Sequence, residues 1–325
     1  MSTGLRHARV EALAKINLAL KVLHKRTDGY HELRTVFQTI SLGDTLEIEF
    51  TPSRRTRIEL VSRVDIPDNL VARAARSVMD AIRVTGTVRL RLVKRIPMGA
   101  GLGGGSSDAA AVLLALPVLA GGRIPADQLI GLAAGLGSDV PFFLVGGTAA
   151  GIGRGTEVYP LPDHPAFPGI LVAPPIHVST AEAYRGLDRK LTSVVPPNIM
   201  NNFQSFAWSG GLGEPGKGTP ASPGNDFEES VFRLHPRLKS LKARLSRIGA
   251  APVMMTGSGS ALFGLFRGRN DLERALPLFE EETVFRFSLV TRERYRRAWM
   301  RWLAAHIEGE IWPPQSRYSK TKTTG

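Results

Sequence analysis

Pro97-Met98-Gly99-Ala100-Gly101-Leu102-Gly103-Gly104-Gly105-Ser106-Ser107-Asp108 runs straight into the apolar stretch Ala109 to Leu116, which reads as a helix. Glycine enters φ > 0 freely and lets the backbone approach a ligand with no Cβ in the way. A helix starting at the two serines aims its unpaired N–H groups and the positive end of its dipole back into the loop. Successive N–H groups of this kind cradle anions, and polyphosphate is the natural guest. A flexible linker is the first alternative, but a linker is polar and does not enter a helix of small and branched apolar residues. A buried tight turn is the second. The loop is no Walker-type loop, because no Gly-Lys-Ser/Thr closes it. Nor is it a dinucleotide fingerprint: Asp127 stands about 20 residues on, but it follows Gly121-Gly122 and Pro125 at what reads as a helix start.

Size and composition bound the rest. A chain of 325 residues with 43% apolar residues forms one large or two medium domains around a substantial core. It contains no cysteine, which excludes disulfide scaffolds, thiol catalysis and thiolate metal sites. No stretch of the sequence reads as a signal peptide or a membrane span, so a cytoplasmic protein with no membrane partner is expected. The net charge of +13 raises the question of nucleic acid. Residues 286–325 hold nine Lys/Arg against three Glu, and Arg292, Arg294, Arg296, Arg297 and Arg301 surround Trp299 and Trp302. Such a segment either touches RNA or forms a helix whose tryptophans pack on the body while the arginines face water. The second reading, with no nucleic-acid partner, is the one expected here.

The N-terminal half reads as strands (Ala12 to Val22, Leu33 to Ile40, Asp44 to Phe50), then a helix from Asn69 to Ile82. In that helix Leu70, Ala74, Val78 and Ile82 share one face. Val88 to Val93 alternates like a half-exposed strand, and Pro125 to Leu136 is a further helix. Phe142 to Val145 and Gly169 to Ala173 read as buried strands. Ser209 to Gly224 is a Gly/Pro-rich loop. Arg233 to Ile248 reads as one helix, followed by strands Ala251 to Thr256 and Ala261 to Phe266 around a second glycine–hydroxyl loop, Thr256-Gly257-Ser258-Gly259-Ser260. The expectation is α+β: two halves meeting at a cleft, 1–173 and 174–285, with a basic extension over 286–325.

Two charged residues stand out. Lys15 interrupts an apolar strand and shares a face with Asn17. It either snorkels to solvent or points into a wet, anionic cleft, because an isolated buried ammonium is too costly to keep. Asp139, in Gly137-Ser138-Asp139-Val140-Pro141, is its candidate partner, and equally a candidate helix cap. Beside a nucleotide cradle, such a pair suits phosphoryl transfer to a hydroxyl, which needs an aligned nucleophile, a proton acceptor and positive charge at the transferring oxygens. Because an ordinary aspartate titrates near 3.9, it is a feeble base toward an alcohol and the proton moves late. Bound Mg²⁺ and the backbone donors of the loop would screen the phosphates, with Ser106 and Ser107 as candidate oxygen contacts.

Four patches, in order and spacing, resemble the galactokinase, homoserine kinase, mevalonate kinase and phosphomevalonate kinase superfamily. They are Ala14-Lys15-Ile16-Asn17-Leu18 with Arg26-Thr27-Asp28-Gly29-Tyr30-His31, the Pro97 to Ala110 loop, Gly137 to Phe142, and Thr256 to Ser260. Asp28-Gly29-Tyr30-His31 and Asn225-Asp226-Phe227-Glu228 resemble the branch that phosphorylates the 2-hydroxyl of a cytidine-diphosphate-linked methylerythritol. The resemblance implies that 1–173 is a ribosomal-protein-S5-like nucleotide-binding domain that binds ATP. It implies that 174–285 is a C-terminal α/β sandwich domain on the substrate side, with the active site in the cleft between them. It implies Lys15 and Asp139 as the catalytic pair, with ATP and Mg²⁺. The ATP loop is carried by Pro97, Met98, Gly99, Ala100, Gly101, Leu102, Gly103, Gly104, Gly105, Ser106 and Ser107. Substrate would be held by Asn17, by Tyr30 and His31 at the cytidine, and by Tyr184 as the aromatic that sandwiches the base. A monomer or weak homodimer is expected. The glycine-rich loop 209–224 and the extension after residue 286 depart from the family pattern.

Overall fold

The computed structural model describes residues 4–64, 68–187, 197–208 and 224–319; the loop expected over 209–224 lies, but for its last residue, outside them. The chain opens with two long antiparallel strands, β1 (Arg6–Lys25) and β2 (His31–Pro52), paired along almost their whole length. The far edge of β2 is divided. Its first half pairs with β5 (Thr148–Gly153), which pairs on with β6 (Glu157–Pro160). Its second half pairs with β4 (Gly86–Val93), which lies parallel to β3 (Arg57–Ser62) after the crossover helix α1 (Leu70–Ile82). The sequence suggested two strands, Leu33 to Ile40 and Asp44 to Phe50. One continuous strand forms instead: Gly43 pairs with Leu13, and the register shift between Leu13 and Lys15 is taken up within the ladder without a turn.

The first sheet is covered by α1 and by α2 (Gly104–Ala120), which is buried from Ser107 to Ala120 on every side and lies at the centre of the larger core. A helix apolar all round belongs in the middle of a fold. It starts at Gly104, two residues ahead of the serines, because Gly103 takes the left-handed conformation and Ser107 N–H already donates to Gly103 O at 2.8 Å. Helices α3 (Ala126–Leu136) and α4 (Val140–Val145) follow. The α4 segment corrects the strand expected over Phe142 to Val145. Pro141 occupies the first turn, where its missing N–H costs nothing, and Gly146 ends the helix after six residues. Four consecutive apolar residues carry no period by which sequence distinguishes strand from helix.

The second sheet is antiparallel, in the order β10 (Val284–Ser288), β7 (Pro168–Val172), β9 (Leu262–Leu265), β8 (Val253–Met255). Along the chain, α5 (Thr180–Arg185), α6 (Pro197–Trp208), α7 (Phe227–Leu234), α8 (Pro236–Arg247) and α9 (Arg269–Ala275) are interleaved with these strands. The helix expected over Arg233 to Ile248 is two helices. His235 leaves the helical region ahead of Pro236, as a residue before proline tends to. One face of this sheet packs beneath α7 and α8; the other shares a core with β1 and β2, where Ile16, Leu18 and Ile40 meet Leu171, Phe263 and Phe287. The fold is therefore α+β in two lobes, with β1 at their junction. β7 precedes residue 174 and β10 reaches Ser288, so the second layer takes strands from both sides of the 174–285 span.

After β10, helix α10 (Arg292–Trp302) folds back onto the first lobe. Trp299 is buried, Tyr295 Oη donates to Phe143 O at 2.6 Å and Trp312 Nε1 donates to Leu144 O at 3.0 Å, while Arg294, Arg297 and Arg301 face water. The aromatic residues of this basic segment thus brace α4, which carries Asp139 at its start. No helix among the described residues is long and apolar enough to cross a membrane.

Candidate active site

The glycine loop lies between β4 and α2 and turns through three left-handed glycines, Gly99, Gly101 and Gly103, at φ +66°, +79° and +68°. Contact as well as dihedral demands glycine at Gly101, where a Cβ would stand 2.1 Å from Thr256 O. Of the loop residues expected to bind ATP, Gly99, Gly101 and Gly103 line the cleft. Ala100 and Leu102 send their side chains into the shared core, and Leu102 O accepts from Lys15 N at 3.1 Å. Ser106 Oγ lies 3.8 Å from where a Cβ on Gly137 would be, next to Ser138 and Asp139. Ser107 differs from expectation. Its hydroxyl donates to Leu13 O at 2.7 Å and its N–H is in the helix, so it steadies β1 and offers a phosphate no free donor. Ser106 alone of the two serines presents its hydroxyl near the cleft.

Lys15 sits at a β-bulge of β1 and is 3% exposed, so it points inward and does not snorkel. Its ammonium donates to Asn17 Oδ1 at 2.7 Å and stands 3.4 Å from Asp139 Oδ2, with the Phe37 ring 5.5 Å away. Asp139 precedes α4, but its carboxylate makes no capping bond and faces Lys15 instead. The two groups that sequence could only pair conditionally do meet. Asn17 is a hub: Oδ1 also accepts from Gly257 N at 2.9 Å, and Nδ2 donates to Thr35 Oγ1 at 2.7 Å. Thr256 Oγ1 accepts from Asn17 N at 3.1 Å and lies 3.2 Å from Gly101 O, so the second glycine loop touches both β1 and the first loop.

Lys15 and Asp139 lie in a cleft of about 790 Å³. Beside the glycine loop it is lined by Tyr30, His31 and Tyr184, brought from the β1–β2 turn and from α5. His31 stacks on Tyr184 at 4.4 Å between ring centroids, and Tyr184 meets Phe227 edge-on at 4.9 Å. Burial, and then the charge of Lys25, hold the His31 imidazole below its ordinary value, so it is neutral with one donor and one acceptor. Burial, and then Asp139, push the Tyr184 phenol up to about 12. Tyr30 is half exposed, and its ring is covered by Arg154 at 3.5 Å.

Arg154 is a lining residue that sequence reasoning missed. Its only local signal is its position between Gly153 and Gly155, both left-handed, at the tip after β5; among 42 lysines and arginines that marks nothing. Its Nε is buried without a partner among the described residues, and it adds a cation to the Tyr30 side of the cleft. Thr180 was also missed; its hydroxyl lies 3.2 Å across the cleft from that of Ser258, which belongs to the glycine–hydroxyl loop that the sequence singled out. Among the described residues no cluster of three or more His, Asp or Glu forms a ready metal cage. The donor set fits instead a cation that arrives with phosphates, as Mg²⁺ does when one carboxylate and a hydroxyl complete a shell of phosphate and water oxygens.

Residues 69–147 match the family model described as "GHMP kinases N terminal domain", and residues 204–277 that described as "GHMP kinases C terminal". The 4-diphosphocytidyl-2-C-methyl-D-erythritol kinase of Solibacter usitatus (strain Ellin6076) is 58% identical over 323 residues, 98% of this chain and 100% of its own. The enzyme of that name from Geobacillus sp. (strain WCH70) is 39% identical over 269 residues, 82% of this chain and 90% of its own. A solved 4-(cytidine 5'-diphospho)-2C-methyl-D-erythritol kinase superposes with a TM-score of 0.71 at 37% identity, covering 86% of this chain and 98% of that one. Methanococcus jannaschii mevalonate kinase shares the fold at 14% identity, with a TM-score of 0.65 over 88% of this chain and 99% of its own. With that identity sustained over its length, the chain belongs to the 4-diphosphocytidyl-2-C-methyl-D-erythritol kinases of the GHMP kinase family.

Proposed function

We propose that this chain transfers the γ-phosphoryl group of ATP to the 2-hydroxyl of 4-(cytidine 5'-diphospho)-2-C-methyl-D-erythritol, a step of non-mevalonate isoprenoid precursor synthesis. The observation that carries the reading is the placement of Lys15 and Asp139, 3.4 Å apart, in one cleft with the glycine loop and the His31–Tyr184 stack. ATP lies along the loop with its phosphates at the N-terminus of α2, and the cytidine lies against Tyr30, His31 and Tyr184. The acceptor hydroxyl then falls between Asp139 and the γ-phosphorus. Its oxygen bonds to that phosphorus as the bond to the β-phosphate oxygen breaks, ADP leaves, and the proton passes to Asp139. Lys15 keeps Asp139 anionic and offsets charge on the transferring oxygens. Asp139 and Ser106 would hold Mg²⁺ beside the phosphates, where it would supply charge neutralisation. A cytoplasmic location is part of this reading, since the cytoplasm supplies the ATP that the reaction consumes.

Incubation with γ-labelled ATP and a panel of alcohols tests the reading. Label should reach the cytidylyl substrate; label reaching mevalonate or homoserine instead would overturn the substrate assignment and leave a kinase of this fold.

At the cytidine end, His31→Ala is expected to raise KM for the cytidylyl substrate about tenfold or more, because a buried base edge loses its partner. KM for ATP should hardly move, and discrimination against a uridine analogue should weaken. In the parent enzyme the same KM should rise at acid pH. The imidazole is depressed and neutral near neutrality, and its acceptor is lost only as pH falls through that lowered value. An acid limb that persists in His31→Ala would assign the titration to another group.

A further inference from the structure

We infer that Asn225 is a positioning residue for the phosphoryl-transfer step, acting on the Lys15 ammonium through the Gly257 peptide and Asn17. The inference rests on the function proposed above. Asn225 belongs to the Asn-Asp-Phe-Glu patch and lies far from the transferring atoms in sequence, yet it is buried against the second glycine loop, at Gly257. Its Nδ2 donates to Met255 O and to Gly257 O, each at 2.8 Å. Since both partners are carbonyls, that atom must be the amide nitrogen. Its Oδ1 accepts from Phe227 N at 3.0 Å.

Gly257 is therefore gripped at both ends of one residue by buried asparagines: its C=O by Asn225 from the second lobe, its N–H by Asn17 from β1. The Asn17 oxygen that takes this N–H is the oxygen that takes the Lys15 ammonium, at 2.7 Å. Gly257 has φ +56°, and a Cβ there would lie 3.1 Å from Gly101 Cα. A shift of this peptide thus reaches both the charge partner of Asp139 and the glycine loop.

The segment that carries Asn225 is fixed independently of its side chain. Leu20 N donates to Gly224 O at 2.9 Å and Asp226 N donates to Leu20 O at 3.0 Å, while the Asp226 carboxylate takes Val22 N and the Lys21 ammonium. Removing the two amide N–H donors leaves the segment on β1 and releases only the loop. The Oδ1 contact does something else. It holds the start of α7, whose Phe227 backs Tyr184. One side chain serves the reacting end with its nitrogen and the cytidine end with its oxygen.

That division makes the test. Asn225→Asp keeps an oxygen for Phe227 N–H and replaces the donors by an oxygen facing two carbonyls. Misplacement on the ångström scale costs reacting geometry about 10- to 100-fold, and kcat should fall by that amount. KM for the cytidylyl substrate should stay within about threefold, since ground-state contacts there are kept. Asn225→Ser, whose hydroxyl also accepts from the N–H two residues on, should behave alike and serves if the buried carboxylate impairs folding. Asn225→Ala loses both contacts, so KM should rise along with the fall in kcat. Circular dichroism and Tm confirm that each variant is folded. A folded Asp or Ser variant with kcat within threefold of the parent would overturn the inference, as would KM rising in them as it does in Ala. A parent that phosphorylates no cytidylyl alcohol overturns the function itself; an active parent with an indifferent Asp or Ser variant overturns this inference alone.

Discussion

Asp139→Asn should lower kcat by about 10²–10⁴-fold, the range for losing a positioned proton acceptor, while ATP binding measured by calorimetry stays within a few-fold. The substitution preserves shape and removes a charge and a basic oxygen 3.4 Å from the Lys15 ammonium. The competing role, capping α4, predicts lost stability with normal turnover. The structure argues against it, because the carboxylate makes no bond to the α4 backbone. Lys15→Ala should also collapse kcat, since the ammonium is shared between Asn17 and Asp139 and is almost wholly enclosed. The double variant should be little worse than either single one, because the two groups act as a unit. Near-normal turnover in folded Asp139→Asn would leave the reaction without its acceptor and sink the mechanism.

Where sequence was a good guide, the signal was local. Leu70, Ala74, Val78 and Ile82 marked one face of α1, and Asn69 caps it through a bond from Val71 N at 2.9 Å. The glycines at 99, 101 and 103 marked left-handed turns. Where it misled, the deciding contact lay far along the chain. Phe142 to Val145 reads as a strand, yet in the helix it forms Phe142 packs on Phe37 and Phe143 O accepts from Tyr295, on a helix some 150 residues on. Ser107 looks like a phosphate contact beside Ser106, yet its hydroxyl is claimed by Leu13 across 94 residues.

The site was legible for the same reason in part. Lys15 and Asn17 alternate along one strand, so their shared face follows from the period of two. Their pairing with Asp139, and the grip of Asn17 on Gly257, join residues more than a hundred positions apart through single hydrogen bonds or ion pairs, which no spacing announces. Arg154 and the Lys94 cluster were invisible for a simpler reason. A lone cation in a basic chain reads as surface until its neighbours are known.

Lys94 carries the largest expected effect on stability. Beneath the glycine loop its ammonium, 8% exposed, bridges Asp44 at 2.5 Å and Asp108 at 2.7 Å. Asp44 in turn takes Arg95 N at 2.5 Å and Ile96 N at 2.8 Å, fixing the chain as it enters the loop. A Cβ at Gly104 would be tight, 3.3 Å from Lys94 Nζ and 3.1 Å from Ile96. Two buried carboxylates share this one cation. Burial, and then Asp44, raise the Asp108 carboxyl above the ordinary range against the pull of Lys94. Burial would lower Lys94, but the two carboxylates overcome it and raise it, so it stays charged. Lys94→Met removes the cation at similar length and leaves both acids unpaired, which should cost about 3–5 kcal/mol of stability. The pH dependence has a definite sign. With the Asp108 carboxyl raised, the folded state holds more protons than the unfolded one, so stability falls as pH rises. Thermal unfolding should therefore show Lys94→Met further below the parent at pH 8 than at pH 6. Adding Asp108→Asn, which removes one of the stranded charges, should restore part of the loss. A Lys94→Met protein as stable as its parent at pH 8 would mean that the cluster is neutral without its lysine, and that something else holds the loop over α2.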